Sequence, residues 1–317
     1  MYLPSRSAWY FLIDLHCHTT CSDGTLSPTA LVTHAASAGV RLLAITDHDT
    51  VQAWDMAIEP ARAAGIELLC GVELSTHLSG ASRSVHLLGY FPSRPDPAFV
   101  AWLNELQESR RTRNAALLAR LQQLGLDIQW SEVAALAQQQ VGRPHFATVL
   151  VRKGYVKDLS EAFEVYLSEG GKAWVGREEP TLAEALQRLR TAGALSSLAH
   201  PVRISRDWER LNQLIAEYAG RGLDAIECYH SEHCAEDVAQ LSALARRHGL
   251  ALTGGSDFHG DTKPGVNVAI GLTKSPLVPA YVADHLRTRL GLARSSDRNV
   301  DRLPSHATST TPGRAAR

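Results

Sequence analysis

Acidic and imidazole side chains recur in short motifs along this chain, and the first motif is Asp-Leu-His-Cys-His at residues 14–18. An apolar run over residues 10–13 leads into it, which predicts a buried strand with His16 and His18 at its carboxyl end. Side chains two positions apart share one face of a strand, so these imidazoles could bind one metal ion. Asp23, on the loop that follows, could add a carboxylate. One such pair alone is weak evidence, because many are ordinary polar residues at a strand end.

Further motifs of the same kind follow at the ends of later predicted strands. A nearly all-apolar run over residues 40–46 leads to His48, and the strand predicted over residues 66–74 carries Glu73. A lone histidine in an apolar run is more often a core residue, but a short turn after Glu73 predicts a hairpin that brings His86 beside it. Together with the acids and histidines at two later strand ends, the candidate metal ligands are His16, His18, Asp23, His48, Glu73, His86, His200, Asp257 and His259.

So many imidazoles and carboxylates at one edge of a sheet would be costly to desolvate without a cation among them. Nitrogen and oxygen donors, with no thiolate beyond a possible Cys17, suit manganese, zinc or iron. The set is large enough for two or three divalent metal ions per chain. A zinc knuckle at Cys17 and Cys21 is the competing interpretation, although no second cysteine pair has metal spacing.

The segments between the motifs predict the elements that position them. Ser27 is a predicted N-cap with Pro28 at the first helical position, and Gly39 lies just past the predicted helix end. Strand and helix then alternate through the third strand, which implies right-handed crossovers and a parallel sheet. The candidate ligands fall at the carboxyl ends of successive strands, which is the edge where α/β barrels build their active sites.

The pattern changes after the proline-rich stretch at residues 92–97, from which helical segments continue to about residue 180. We therefore predict a barrel over residues 10–91, a helical insertion that caps the substrate site over 92–180, the rest of the barrel over 181–290 and a disordered tail over 291–317. Basic side chains on a helix and on glycine-bearing turns of the insertion could bind an anion, and these are Arg110, Arg113, Arg143 and Lys172.

The bulk properties narrow the class of protein. The chain has 317 residues, a net charge of −1 and 44% hydrophobic residues, which is typical of a globular protein with a large core. It contains no apolar run of about 18 residues and no recognisable signal peptide, so we predict a cytoplasmic protein without a membrane partner. Five cysteines, an odd number without a dense framework, indicate reduced thiols. Near-neutral charge argues against broad electrostatic binding to nucleic acid.

The ordered motifs resemble those of the polymerase and histidinol phosphatase (PHP) family. The resemblance runs from about residue 12 to residue 271 and rests on the 14–18 motif, Ser22-Asp23-Gly24, Asp47-His48-Asp49, Gly71-Val72-Glu73, His86, Ala199-His200-Pro201 and Ser256-Asp257-Phe258-His259. It implies a distorted (β/α)7 barrel with a cluster of divalent metals, often manganese, and phosphoester hydrolysis. Gly142-Arg143-Pro144-His145 and Gly171-Lys172 resemble the bacterial branch of nucleoside 3′,5′-bisphosphate phosphatases and the related 5′–3′ exoribonuclease.

These features predict a metal-dependent phosphoesterase that removes the 3′-phosphate of nucleoside 3′,5′-bisphosphates such as 3′-phosphoadenosine 5′-phosphate. Asp257 or His200 would move protons, and the four basic residues of the insertion would hold the second phosphate. A 5′–3′ exoribonuclease on short RNA, a histidinol-phosphate phosphatase and a non-catalytic, metal-stabilised binding module are the alternatives. No protein partner is predicted.

Overall fold

Seven strands form one sheet, in chain order, in this computed structural model, which describes residues 12–78, 85–137, 140–269 and 276–292. Each strand pairs with the next along the chain, and most pairs are parallel. The strands are β1 (Leu12–Asp14), β2 (Val40–Ile45), β3 (Glu67–Thr76), β4 (Val85–Phe91), β5 (Leu195–Leu198), β6 (Ala225–His230) and β7 (Ala251–Gly255).

The two ends of the sheet approach each other. The backbone N–H of Leu15 donates to the carbonyl of Gly254 at 3.1 Å, and that of His18 donates to the carbonyl of Phe258 at 2.8 Å. The N–H of Asp257 donates in return to the carbonyl of His16 at 2.7 Å. The segments that follow β1 and β7 therefore nearly close the sheet into a barrel, and the predicted α/β class with a distorted seven-stranded barrel is confirmed.

Strands β1 to β3 are parallel as predicted, whereas β4 runs antiparallel to both β3 and β5. The connection between β3 and β4 is too short for a crossover, so these strands form the predicted hairpin. His86 lies opposite Ser75, which places its side chain on the same face as Glu73, two residues away. Because β4 is reversed, its first residues reach the edge at which β3 ends.

Ten α-helices cover or extend this sheet within the described residues. The first confirms its sequence signals: the Ser27 side chain accepts a hydrogen bond from the Ala30 N–H, Pro28 is the first helical residue, and Gly39 follows with a positive φ of 87°. The last helix, at residues 280–289, was not predicted from the sequence. The helices are α1 (Pro28–Ser37), α2 (Ala53–Ala63), α3 (Pro97–Gln123), α4 (Trp130–Ala134), α5 (Arg143–Arg152), α6 (Leu159–Ala162), α7 (Leu182–Thr191), α8 (Trp208–Gly220), α9 (Ala235–His248) and α10 (Ala280–Arg289).

The segment between β4 and β5 contains helices α3 to α7, and a π-helical turn, Phe163–Leu167, continues α6. From Leu117 to Ala173 this segment packs around an apolar cluster of its own, which includes Leu121, Phe146 and Leu150. Such separate packing is what a helical insertion requires, while the boundaries at residues 92 and 180 stay a prediction. The predicted disordered tail lies outside the described residues from residue 293 onward. No described helix is long and apolar enough to cross a membrane.

Asp14 and Gly255 allow the segment after β1 and the end of β7 to lie close together. The buried carboxylate of Asp14 accepts hydrogen bonds from the backbone of His16, Ser256 and Ala269, and from the Ser256 hydroxyl at 2.6 Å. A Cβ added to Gly255 would lie 2.3 Å from the backbone nitrogen of His16 and 2.7 Å from Asp14 Oδ1. Only glycine therefore lets β7 come this close to the first histidine motif.

We expect Gly255→Ala to lower the free energy of unfolding by about 1–3 kcal/mol, because the clash is with backbone that cannot rotate away. Gly220→Ala is the matched control, since a Cβ there meets no atom within 4 Å. Urea unfolding of both variants measures the difference. Equal stability would show that the close approach at Gly255 is not a constraint.

Candidate metal centre

The nine predicted ligands all lie at one end of the barrel. Each follows or ends a strand: His16 and His18 follow β1, and Asp23 lies on the loop after them. The others come from the ends of β2, β3, β5 and β7 and from the start of β4, and they are His48, Glu73, His86, His200, Asp257 and His259. We call these nine side chains the histidine–carboxylate cluster.

Glu73 is the centre of this cluster, with a side chain that is 1% exposed. Its Oε1 lies 2.7 Å from His86 Nδ1 and 3.0 Å from His200 Nε2. Its Oε2 lies 3.1–3.3 Å from one ring nitrogen each of the three remaining neighbours, His16, His18 and His48. One carboxylate therefore faces five imidazoles from four strands.

Three overlapping groups within the cluster bring their donor atoms within 4.8 Å of one another. The first contains His16, His18, Glu73 and Asp257, the second His48, Glu73 and His86, and the third His18, Asp23, His48 and His259. Glu73 and two histidines are shared between groups, as they would be in a site for more than one ion.

The donor atoms are oriented for a cation rather than for one another. His16 Nε2, His18 Nε2, His48 Nδ1 and Asp23 Oδ1 are buried and have no hydrogen-bond partner. Buried polar atoms without partners are costly, and a divalent ion would satisfy them. The residues therefore fit divalent metals. No cysteine belongs to these groups in the described part of the chain, which disfavours the zinc knuckle.

The cluster perturbs protonation in opposite directions. Burial lowers the pKa of His48 to about 3, in spite of Glu73 and Asp23 nearby. Burial also acts against a charged His18, but the nearby carboxylates of Asp257 and Glu73 outweigh it and raise that pKa to about 10. Burial acts to raise the pKa of Glu73, but the imidazoles of His48, His86 and His16 outweigh it and hold that pKa well below its usual range. Such divergent shifts in one cleft are typical of functional sites.

Asp257 carries a second set of contacts that sequence reasoning missed. Its Oδ1 faces the histidines, whereas its Oδ2 lies 2.7 Å from Lys263 Nζ, 3.0 Å from Arg203 Nη2 and 3.3 Å from His230 Nε2. Glu227 was also missed, although it lies in β6 near the same edge and its Oε1 is 2.9 Å from His16 Nδ1. The strand position of Glu227 was the signal that could have found it.

An arginine cluster, formed by Arg110, Arg113, Arg143 and Arg177, lies beside the His48 end of the site. Asp49 directly follows His48, and its Oδ2 accepts from Arg110 Nη2 at 2.5 Å and from Arg177 Nη2 at 3.2 Å. The structure thus brings three of the four predicted basic residues together and adds Arg177, which no sequence signal singled out.

Electrostatic repulsion within the arginine cluster is strong. Arg113 is 6% exposed, and burial together with Arg110, Arg143 and Arg177 lowers its pKa to about 8. Free guanidinium has a pKa above 12, so burial and the neighbouring guanidiniums together disfavour the charged form of Arg113. Arg113 Nε and Arg177 Nη1 are buried donors without a hydrogen-bond partner.

Among the described residues, the Lys172 ammonium forms no ion pair or hydrogen bond with either cluster. It lies 5.8 Å from the centre of the Tyr166 ring, and the Lys172 carbonyl accepts from Arg120 Nε. The predicted role of Lys172 in substrate binding finds no support in these contacts.

Comparison with known proteins identifies the family. Residues 14–221, more than half of the chain, match the family model described as PHP domain. The chain belongs to the PHP domain family. The family predicted from the ordered motifs is therefore confirmed.

Named relatives cover most of the chain. It is 35% identical to a 5′-3′ exoribonuclease of Haemophilus influenzae over 78% of this chain and 89% of that protein. It is 33% identical to a 3′,5′-nucleoside bisphosphate phosphatase of Chromobacterium violaceum over 81% and 90% of the two chains. A solved structure of an amidohydrolase from Chromobacterium violaceum, with bound sulfate and no metal, superimposes with a TM-score of 0.77 at 32% identity, over 87% of this chain and 96% of that one. The predicted phosphoesterase class agrees with these relatives.

We expect Glu73→Gln to reduce the bound metal by about one ion per chain or more, because a neutral amide cannot replace a carboxylate shared between groups. Inductively coupled plasma mass spectrometry after loading with Mn²⁺ or Zn²⁺ measures the loss. The control is Glu67→Gln at the opposite end of β3, where Glu67 pairs with Arg287. Unchanged metal content in a folded Glu73→Gln protein would contradict the central role of this residue.

Proposed function

We propose that this chain is a metal-dependent phosphatase that hydrolyses the 3′-phosphate of nucleoside 3′,5′-bisphosphates, such as 3′-phosphoadenosine 5′-phosphate, to the nucleoside 5′-monophosphate and phosphate. The observation that carries the proposal is the arginine cluster, which adjoins the histidine–carboxylate cluster through Asp49. A substrate with two phosphates could place one at each cluster. A monophosphate would leave the arginine cluster without its anion.

The charge balance supports an anion at the arginine cluster. In the described part of the chain, two carboxylates pair directly with its four guanidiniums, and these are Asp49 and Glu179. Arg113 Nε and Arg177 Nη1 are donors still to be satisfied. Guanidinium groups bind phosphate with paired, charge-assisted hydrogen bonds, so a phosphate would relieve both the repulsion and the missing partners.

The histidine–carboxylate cluster would bind two or three divalent ions through His16, His18, Asp23, His48, Glu73, His86, His200, Asp257 and His259. We propose manganese, with zinc or iron as alternatives, from the nitrogen and oxygen donors. When bound, such ions polarise phosphoryl oxygens and lower the pKa of water. Among the protein groups, His200 and Asp257 are our candidates for moving protons, because both reach the centre of the cluster and lie beside cationic groups that influence their protonation.

A second candidate activity is 5′–3′ exoribonuclease on short RNA, because the Haemophilus influenzae relative bears that name at 35% identity. The two activities require cleavage of the same kind of ester bond. Each breaks the ester bond at a 3′-oxygen and releases a nucleoside 5′-monophosphate, so each would place a 5′-phosphate at the arginine cluster. The sulfate bound in the structural neighbour is an anion of the same shape as phosphate. Histidinol phosphate carries an amine, which the arginine cluster would repel.

We expect Arg113→Gln to lower kcat/KM for 3′-phosphoadenosine 5′-phosphate by about 10- to 100-fold, the loss of a charge-assisted phosphate contact. For adenosine 3′-monophosphate, which lacks the 5′-phosphate, the same variant should differ little from the wild type. Arg111→Gln is the control, since Arg111 is exposed on the same helix and pairs with Glu108. Phosphate release by the manganese-loaded protein is the measurement, and an equal loss on both substrates would contradict a 5′-phosphate site.

A second set of substrates distinguishes the exoribonuclease activity from the phosphatase activity. A short oligoribonucleotide with a 5′-phosphate is compared with the same oligomer bearing a 5′-hydroxyl, and with the bisphosphate at equal concentration. Faster turnover of the 5′-phosphorylated RNA would assign the chain to the exoribonuclease activity. Preference for histidinol phosphate would overturn both proposals, and inertness of the metal-loaded protein toward every ester would support a binding module. The cytoplasmic location stays a prediction from the sequence.

A further inference from the structure

One buried carboxylate outside the predicted ligand set contacts two members of that set. Glu227 is fully buried in β6. Its Oε1 lies 2.9 Å from His16 Nδ1, and its Oε2 accepts a hydrogen bond from the backbone N–H of His200 at 2.7 Å. His16 belongs to the first ligand group, whereas His200 approaches Glu73 from the other side. Glu227 therefore connects ligands that follow two different strands.

The contact with His16 selects a tautomer of its ring. A carboxylate accepts but does not donate, so Nδ1 of His16 must carry the proton that points to Glu227. In the neutral ring Nε2 then directs its lone pair toward the cluster, where it lies 3.3 Å from Glu73 Oε2 and 3.5 Å from Asp257 Oδ1 without a hydrogen-bond partner. This is the arrangement by which a carboxylate behind a histidine orients it toward a metal.

The contact with His200 holds an unusual backbone. His200 has φ 30° and ψ 61°, in the left-handed region that residues with a Cβ rarely adopt, and it is followed by Pro201. The charge-assisted bond from its N–H to Glu227 helps to offset this strain. In this conformation the ring reaches 3.0 Å from Glu73 Oε1.

We propose that Glu227 is a positioning residue that sets the tautomer of His16 and the backbone turn at His200 together, so that one carboxylate controls the metal affinity of two neighbouring ligand positions. The inference rests on the metal centre proposed above, and it does not depend on which phosphoester is hydrolysed.

The test is metal binding by the full chain carrying Glu227→Gln. A glutamine cannot accept from both partners at once, because one of its terminal atoms is an N–H donor. We expect the affinity for Zn²⁺, measured by competition with a fluorescent chelator, to fall by about 10- to 100-fold. We expect the fall to affect more than one bound ion.

Asp224→Asn is the matched control. Asp224 precedes the same strand at its other end, and its carboxylate accepts from the backbone N–H of Ser196 at 2.9 Å, much as Glu227 accepts from His200. The metal-free melting temperature of both variants separates positioning from stability. Weakened Zn²⁺ binding in Glu227→Gln alone, with similar melting temperatures, is the expected result. Unchanged Zn²⁺ affinity, or a loss explained by a lower melting temperature of the metal-free protein, would overturn the proposal.

Two further measurements keep the test decisive. Glu227→Asp retains the charge but is one methylene shorter, so it should reach only one partner, remain folded and lose part of the Zn²⁺ affinity. Nitrogen-15 spectra of the zinc-loaded wild type should show His16 protonated at Nδ1. Protonation at Nε2, or loss of a single ion without any change in tautomer, would mean that Glu227 is not a positioning residue. A wild type that binds Zn²⁺ but hydrolyses no phosphoester would refute the proposed function and leave this inference intact.

Discussion

The carboxylate of Glu73 is the group on which the rest of this structure depends. It is buried among five imidazoles, and a charge in that position is tolerable only with close, favourable partners on every side. The five partners come from four strands, so the position of Glu73 depends on how the ends of these strands meet. The antiparallel β4 follows from this demand, because only a reversed strand brings His86 to that edge beside Glu73.

Residues whose backbone hydrogen bonds close the barrel also belong to the histidine–carboxylate cluster. The hydrogen bonds that bring β7 to β1 run through His16, His18 and Asp257, which are also members of the histidine–carboxylate cluster. Asp14 and Gly255 then determine how near the two segments can come. A rigid closure of this kind orders the donor atoms before any ion arrives, which reduces the entropy lost on binding.

Two charged regions of opposite kind adjoin each other at the mouth of the barrel. The histidine–carboxylate cluster suits cations, and the arginine cluster suits anions. Asp49 joins the two clusters because it follows His48 directly and pairs with Arg110 and Arg177. Its backbone has a φ of 55°, a left-handed value that few non-glycine residues in the described part of the chain adopt. Arg110 and Arg177 reach this point from separate parts of the segment between β4 and β5, whereas Asp49 follows a strand of the barrel.

The sequence by itself determined the strand-end motifs and the helix caps, because strand periodicity places ligands two residues apart on one face without any knowledge of distant contacts. The order of these motifs then indicated the family by resemblance. Eight of the nine predicted ligands required only that successive strands end at one edge, whereas His86 also required the hairpin of β3 and β4. Tertiary structure decided what depends on approach from other elements. Arg177 and Glu227 lack a local motif, and each acts through residues far along the chain: Arg177 through Asp49 and Glu227 through His16. Lys172 shows the converse, since a glycine-bearing turn gave it a suitable local context while packing directed it to Tyr166. Local sequence fixes which groups a strand end presents, and only packing fixes which distant charges face them.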